Sequence, residues 1–328
     1  MRTLIIPCAD GRKIQGNPLS MARHPAGELL MERVMRGIHP EEYDRIIIAV
    51  LQREGQEIHL KDIYKNQSCE NHVVPEFVFL PEITNGPADT VYETIKIAKI
   101  YGEMAVKDAV SSIDVELTNA KNFIAGVNLS DWKEDVHDIR RKSFIVLNEN
   151  DQVLDIVEKQ IKSENISVGF YGFHEANDFL FAYERLSDTN YPVKALYVSH
   201  IISYLIGYKE KVFHYLPASR FEEWGNEKAW LELQKRFGTY FLDLDMLFWE
   251  KPNNCANDNI MNLLRILSEK GAVFVGFTTQ DVNTKNKTKK LFSEWGINCL
   301  QVVYGTSVST VKRILSDENE VSRCLYEI

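Results

Sequence analysis

Short, unbroken apolar runs that alternate with helix-like stretches constrain this chain more than any other feature. Thr3-Leu4-Ile5-Ile6, Arg45-Ile46-Ile47-Ile48-Ala49-Val50-Leu51 and Glu76-Phe77-Val78-Phe79-Leu80 are each one strand long and lack a polar/apolar alternation. A strand with one wet face alternates, whereas a strand covered on both faces reads as a continuous apolar run. Helix-like segments fall between these runs, at residues 28–35 and about 89–100. The rhythm predicts a doubly wound α/β sheet whose ligands bind beyond the carboxyl ends of the strands.

From Phe144 the pattern changes. Phe144-Ile145-Val146-Leu147, the turn Asn148-Glu149-Asn150-Asp151 and Val153-Leu154-Asp155-Ile156-Val157 predict a β-hairpin. A strand at 167–173 and helices at 175–186, 201–206 and 227–237 follow. Then the strand-helix rhythm restarts. Tyr240-Phe241-Leu242 leads into Asp243-Leu244-Asp245, with strands at 272–277, 301–303 and 313–315 and helices at 260–270 and 288–295. A chain of 328 residues exceeds what one core usually organises, so two domains are expected, 1–236 and 237–328.

The formal charge of −9 opposes a general nucleic-acid binder, which needs a basic face to neutralise phosphates. No apolar run approaches the roughly 20 residues that cross a bilayer. The opening residues read as a first strand and not as a signal peptide. Five scattered cysteines without a Cys-x-x-Cys pair, and eight dispersed histidines, argue against a zinc site and for a reducing compartment. The expected location is the cytoplasm, without a membrane span; a homo-oligomer is left open.

Residues 2 to about 236 resemble the sugar-phosphate nucleotidyltransferase family, through an ordered series of segments. Leu4-Ile5-Ile6-Pro7-Cys8-Ala9-Asp10-Gly11-Arg12 resembles its nucleotide loop, and Asn85-Gly86-Pro87-Ala88-Asp89-Thr90-Val91 its base-contacting helix start. Val106-Lys107-Asp108-Ala109-Val110 resembles the strand end with its metal-binding aspartate. Ile156-Val157-Glu158-Lys159 resembles the Val-Glu-Lys signature, whose lysine meets the sugar phosphate. The stretches at 167–173 and 197–202 resemble later sugar-side elements, and Glu222-Glu223-Trp224-Gly225-Asn226 the segment with a second metal carboxylate. The resemblance implies a doubly wound mixed sheet, nucleotide and sugar-phosphate contacts at Gly11, Arg12, Gly86, Lys159 and Gly169, a catalytic role for Lys159, and Mg²⁺ held by Asp108 and Glu223. The chemistry is coherent: glycine loops offer backbone N–H groups to phosphates, Mg²⁺ screens their repulsion, and a lysine adds a point charge. The loop departs from the family pattern, keeping only Gly11, Arg12 and Gly16 and lacking the following lysine. Weak nucleotide binding through residues 9–17 is therefore expected. On residues alone, Lys159 also reads as a solvated charge at a strand end, and Asn85-Gly86-Pro87 as an ordinary turn.

Phe241-Leu242-Asp243-Leu244-Asp245-Met246-Leu247-Phe248 resembles the first motif of the haloacid-dehalogenase (HAD) superfamily. The resemblance implies a small Rossmann-like domain without a cap, with Asp243 as nucleophile and Asp245 as general acid and base. Val275-Gly276-Phe277-Thr278-Thr279 resembles the phosphate-binding second motif, and Leu315-Ser316-Asp317-Glu318 the acidic fourth, giving Mg²⁺ ligands Asp243 and Asp317. Met246-Leu247 replaces the usual Gly-Thr, and the motif lysine is left open among Lys287, Lys289 and Lys312. Three functions follow. One is an Mg²⁺-dependent enzyme of surface-polysaccharide (capsule or lipopolysaccharide) sugar metabolism, acting on a nucleotide and a sugar phosphate. A second is a HAD-type phosphate-monoester hydrolase with a non-catalytic front domain. A third is a binding or scaffolding protein with two degenerate sites. Lys159, Asp108 and Glu223 are expected to line one pocket, and Asp243, Asp245 and Asp317 to converge with Thr278 or Thr279.

Overall fold

The computed structural model describes residues 1–14, 16–25, 28–52, 60, 64, 74–131, 138–188, 195–236, 239–245, 258–269, 272–280, 285–307 and 326–327. The chain packs as two units: residues 1–22 with 29–225, and residues 23–28 with 226–328. The division falls ahead of the helix Glu227–Arg236, so that helix belongs to the second unit.

The first unit runs β1 (Arg2–Pro7), the short ribbon β2 (Lys13–Ile14) and β3 (Asn17–Pro18), α1 (Leu30–Arg36), β4 (Arg45–Leu51), β5 (Glu76–Leu80) and α2 (Pro87–Ala98). It continues with β6 (Glu103–Lys107), β7 (Ser111–Val115), β8 (Phe123–Asn128), β9 (Ser143–Leu147), β10 (Gln152–Glu158), β11 (Asn165–Phe173), α3 (Ala176–Asp188), α4 (Val198–Lys209) and β12 (Phe213–Glu223). A ten-stranded sheet has the order β5-β4-β1-β6-β11-β8-β12-β10-β9, with β7 paired to β12. Leu4, Ile5 and Ile6 are wholly buried, as the unbroken apolar run requires.

The sheet is mixed, as the resemblance implies. β5, β4, β1 and β6 are parallel, but β11 joins β6 antiparallel and β8 joins β11 antiparallel. Residues 148–151 alone connect β9 to β10, too few for a crossover helix, so these strands pair antiparallel as the predicted hairpin. α2 covers the parallel half, burying Val91 and Ile95 in one core with Ile5, Ile47 and Val106, while α3 and α4 add Phe179, Ile201 and Leu205 to that core farther along the sheet, over β11 and β10.

The second unit contains α5 (Glu227–Arg236), β13 (Thr239–Asp243), α6 (Asp258–Glu269), β14 (Val273–Thr278), α7 (Lys285–Glu294), β15 (Cys299–Tyr304) and β16 (Tyr326–Glu327). Its four strands are all parallel, in the order β15-β14-β13-β16. Leu242, Leu244, Met261, Leu264, Phe274 and Phe292 form its core. The strand expected at 313–315, Asp317, Lys312 and Met246-Leu247 lie outside the described residues. Among the described residues, no helix is long and apolar enough to cross a membrane.

Candidate functional site

The chain leaves β1 for β4 on one side, and β6 lies on the other. This strand-order reversal opens a crevice at the carboxyl ends of β1 and β6, where open α/β sheets receive their ligands. The loop after β1 enters it. Cys8 donates its N–H to the Ala49 carbonyl at 2.8 Å, extending the strand pairing. Gly11 then turns with φ +74°, and a Cβ there would stand 3.1 Å from Ile83 Cδ1. The Arg12 N–H donates to Asp10 Oδ1 at 3.0 Å, and its Nε pairs with the same carboxylate. Burial lowers the Arg12 pKa, but the charges of Asp108 and Asp10 outweigh it, and the guanidinium ends above its ordinary value. Arg12 therefore stays charged beside Asp108.

Asp108 follows the last residue of β6. Its N–H donates to the Gly169 carbonyl at 2.7 Å. Gly169 has φ +76°, and a Cβ on it would lie 2.7 Å from Asp108 Cβ. Both the left-handed backbone and the close approach demand glycine, where the β11 register shifts between Ser167 and Tyr171. Gly225, just past β12, completes this wall: a Cβ there would meet Val110 Cγ2 at 3.1 Å and Arg12 Nη1 at 3.7 Å.

A second cluster gathers at the end of β10. Glu158 Oε2 accepts from Ser143 Oγ and, at 2.6 Å, from Ser199 Oγ. Lys159 has φ +56°, and its N–H donates to the Lys142 carbonyl at 3.0 Å. Its Nζ lies 3.6 Å from Glu158 Oε1 and 3.8 Å from the centroid of the Tyr197 ring. Half-exposed, this ammonium stays within reach of a ligand. The Tyr197 N–H donates to His200 Nδ1 at 3.1 Å, which leaves the ring proton on Nε2. Burial lowers the His200 pKa; Glu158 opposes and Lys159 adds to the fall. Burial raises the Tyr171 pKa, and the charges of Glu158 and Asp108 add to the rise.

Glu223 and Gly86 each meet a partner remote in sequence. Glu223 pairs with Lys142 through Oε2, while its buried Oε1 has no hydrogen-bond partner among the described residues. Lys142 thus ties Glu223 by its ammonium and Lys159 by its carbonyl. Gly86 opens α2 with φ +140°, and a Cβ there would stand 2.9 Å from the Leu196 carbonyl oxygen. The left-handed backbone and this close approach both demand glycine, and the Asn85 N–H is bonded to Asp89 Oδ2 at 2.8 Å beside it.

In the second unit, Asp243, Asp245, Thr278 and Thr279 come together at the carboxyl ends of β13 and β14. The Asp245 N–H donates to Asp243 Oδ1 at 3.1 Å. Thr278 Oγ1 donates to Asp245 Oδ1, and Thr279 gives Asp245 Oδ2 both its N–H at 2.8 Å and its hydroxyl at 2.7 Å. These bonds outweigh burial and lower the Asp245 pKa. Among the described residues, no group of three or more His, Cys, Asp or Glu could hold a metal ion by itself.

Sequence reasoning missed Ser143, Ser199 and Lys107. The serines gave no signal, because their link to Glu158 is made only by folding. Lys107 did: a lysine closing the apolar run Met104-Ala105-Val106 is out of place unless something buried receives it.

Solved structures similar to this chain include the nucleoside-diphosphate-sugar pyrophosphorylase from Vibrio cholerae RC9, at 15% identity over 72% of this chain and 100% of that one, with a TM-score of 0.58. Another is the inositol-1-phosphate CTP transferase from T. maritima, at 14% identity over 72% of this chain and 95% of that one, with a TM-score of 0.53. The large mixed sheet has a nucleotidyltransferase-like fold. No family model matches the chain, and no curated protein does. Within this nucleotidyltransferase-like sheet, the Asp10–Arg12 loop and Asp108 flank the strand-order reversal, and the Lys159 cluster closes the end of β10.

Proposed function

We propose that the first unit joins a nucleoside triphosphate to a sugar 1-phosphate, releasing pyrophosphate. A phosphate oxygen of the sugar attacks the α-phosphorus, and the bond from that phosphorus to the bridging oxygen of pyrophosphate breaks. The observation that carries this reading is the placement of the Asp10–Arg12 loop and Asp108 on either side of the β1–β6 reversal of a nucleotidyltransferase-like sheet, with Arg12 held by Asp10. Arg12 would take triphosphate oxygens, and half-exposed Lys159 would orient the attacking sugar phosphate. The donor set fits Mg²⁺, which usually takes one or two carboxylates and completes its shell with phosphates and water. Asp108 would be the main ligand, with the unpartnered Oε1 of Glu223 as a second. When bound, the ion supplies charge neutralisation between the phosphates. The product is an activated sugar, and its use in surface-polysaccharide assembly in the cytoplasm is the role we assign.

The test is pyrophosphate release from each common nucleoside triphosphate with a panel of sugar 1-phosphates and MgCl₂. Release is expected with at least one pair, with loss in excess EDTA. No release from any pair, with metal-replete folded protein, would remove the reading.

A second reading, phosphate-monoester hydrolysis by a HAD-like second unit, draws on the convergence of Asp243 and Asp245 with Thr278 and Thr279. Against it, Asp245 already holds both threonine hydroxyls that a phosphate would need.

A further inference from the structure

Residues 108–110 link β6 to β7 and include Asp108, and two side chains and one amide occupy their carbonyls and that of Ser111, the first residue of β7. The Lys107 ammonium is fully buried and donates at 2.8 Å to the carbonyls of Asp108 and Ser111 and to Ser111 Oγ. Trp224 takes the two carbonyls between: its indole N–H reaches Ala109 at 3.1 Å and its amide N–H reaches Val110 at 2.9 Å. Ser111 Oγ passes the connection on, donating to the Val168 carbonyl of β11 at 3.2 Å. The Asp108 N–H bonded to Gly169 fixes the preceding peptide, so both peptides that flank the Asp108 Cα are held.

A loop normally leaves such carbonyls to water. A buried lysine is a costly way to satisfy them, since burial penalises its charge. What it provides is geometry. An ammonium has three protons and no acceptor, so three fixed partners leave it one orientation. Trp224 adds a rigid donor plane from the end of β12. The carboxylate of Asp108 then projects from a peptide that cannot rotate.

We propose that Lys107 and Trp224 are positioning residues that lock the turn after β6 and hold the Asp108 carboxylate in register for a phosphate-bound divalent cation. This rests on the role given to Asp108 above. Neither residue touches the ligand; both act through the turn.

The test is the affinity of Mn²⁺ together with each common nucleoside triphosphate, read by electron paramagnetic resonance well below the unfolding temperature. Lys107→Met and Asp108→Asn should each weaken ternary Mn²⁺ binding by about 10- to 100-fold, the range seen when groups supporting a metal ligand are removed. Trp224→Phe, which loses one N–H, should weaken it by about 3-fold. Ile95→Ala, a core variant on α2, lowers thermal stability without touching the turn and should bind as wild type does. Should Lys107→Met fail to fold, Ser111→Ala and Trp224→Phe carry the test, each with a weakening of about 3-fold expected. Wild-type affinity in Lys107→Met, with loss in Asp108→Asn, would overturn the clamp and leave the role of Asp108 standing. Weakening in Ile95→Ala equal to that in Lys107→Met would overturn it too. Wild-type affinity in Asp108→Asn would remove the role of Asp108, and the proposal with it.

Discussion

Asp108 and Asp245 both stand just past the carboxyl end of a parallel strand, yet they are held by opposite ends. Asp108 is held by its backbone: its N–H is bound by Gly169 and its carbonyl by Lys107. Asp245 is held by its carboxylate, which accepts from Thr278 and from the amide and hydroxyl of Thr279. Fixing the peptide leaves a carboxylate for a ligand. Fixing the carboxylate uses it, and a phosphate or metal arriving there must first displace three bonds. The first arrangement is preorganised for binding and the second for packing.

The comparison can be broken most sharply at Gly169. Gly169→Ala forces a side chain into a left-handed backbone and to within 2.7 Å of Asp108 Cβ. It should cost about 2–3 kcal/mol in denaturant unfolding, from left-handed strain and overpacking together. A cost below about 0.5 kcal/mol would mean the turn is not fixed as described.

Asp245→Asn sharpens the other side. It replaces charge-assisted bonds with neutral ones on a part-exposed group and should cost about 1 kcal/mol at neutral pH. Because the folded pKa of Asp245 is lowered, its contribution is present above the ordinary carboxylate value and lost as pH falls through the folded one. The stability gap between wild type and Asp245→Asn should therefore narrow as pH falls below about 4. A gap that widens on acidification would contradict the bonding given to Asp245.

The smallest effect belongs to His200. Burial lowers its pKa, so near and below the ordinary histidine value the unfolded chain binds more protons than the folded one. Stability should rise with pH across that window, by less than about 1 kcal/mol. His200→Asn should flatten the rise. An unchanged slope in thermal unfolding between pH 5 and pH 8 would show that the slope comes from another group.

The parallel half of the first unit was legible because Ile46-Ile47-Ile48 and its counterparts are buried on both faces, and only a covered sheet tolerates such runs. The meeting of Asp245 with Thr278 and Thr279 has a local signal too, since the two apolar strands β13 and β14 run parallel and end side by side. β7, β8 and β12 were not. β12 mixes buried Phe213 and Leu216 with exposed His214 and Pro217, so neither period dominates. Glu223 was expected as a metal ligand; its ion pair with Lys142, from 81 residues away, had no local signal, because that neighbour is made by folding. Gly86 was expected at a ligand; the Leu196 carbonyl that requires glycine there is equally remote in sequence.

The central claim is that chemistry sits at Asp108 and not at Asp243. One measurement crosses the two: pyrophosphate and inorganic phosphate release by wild type, Asp108→Asn and Asp243→Asn, each with MgCl₂, nucleoside triphosphates and sugar 1-phosphates. Pyrophosphate release should fall by about 10²–10³-fold in Asp108→Asn, as when one electrostatic stabiliser is removed, and stay at the wild-type rate in Asp243→Asn. Phosphate release abolished by Asp243→Asn, with no pyrophosphate release sensitive to Asp108→Asn, would contradict the account.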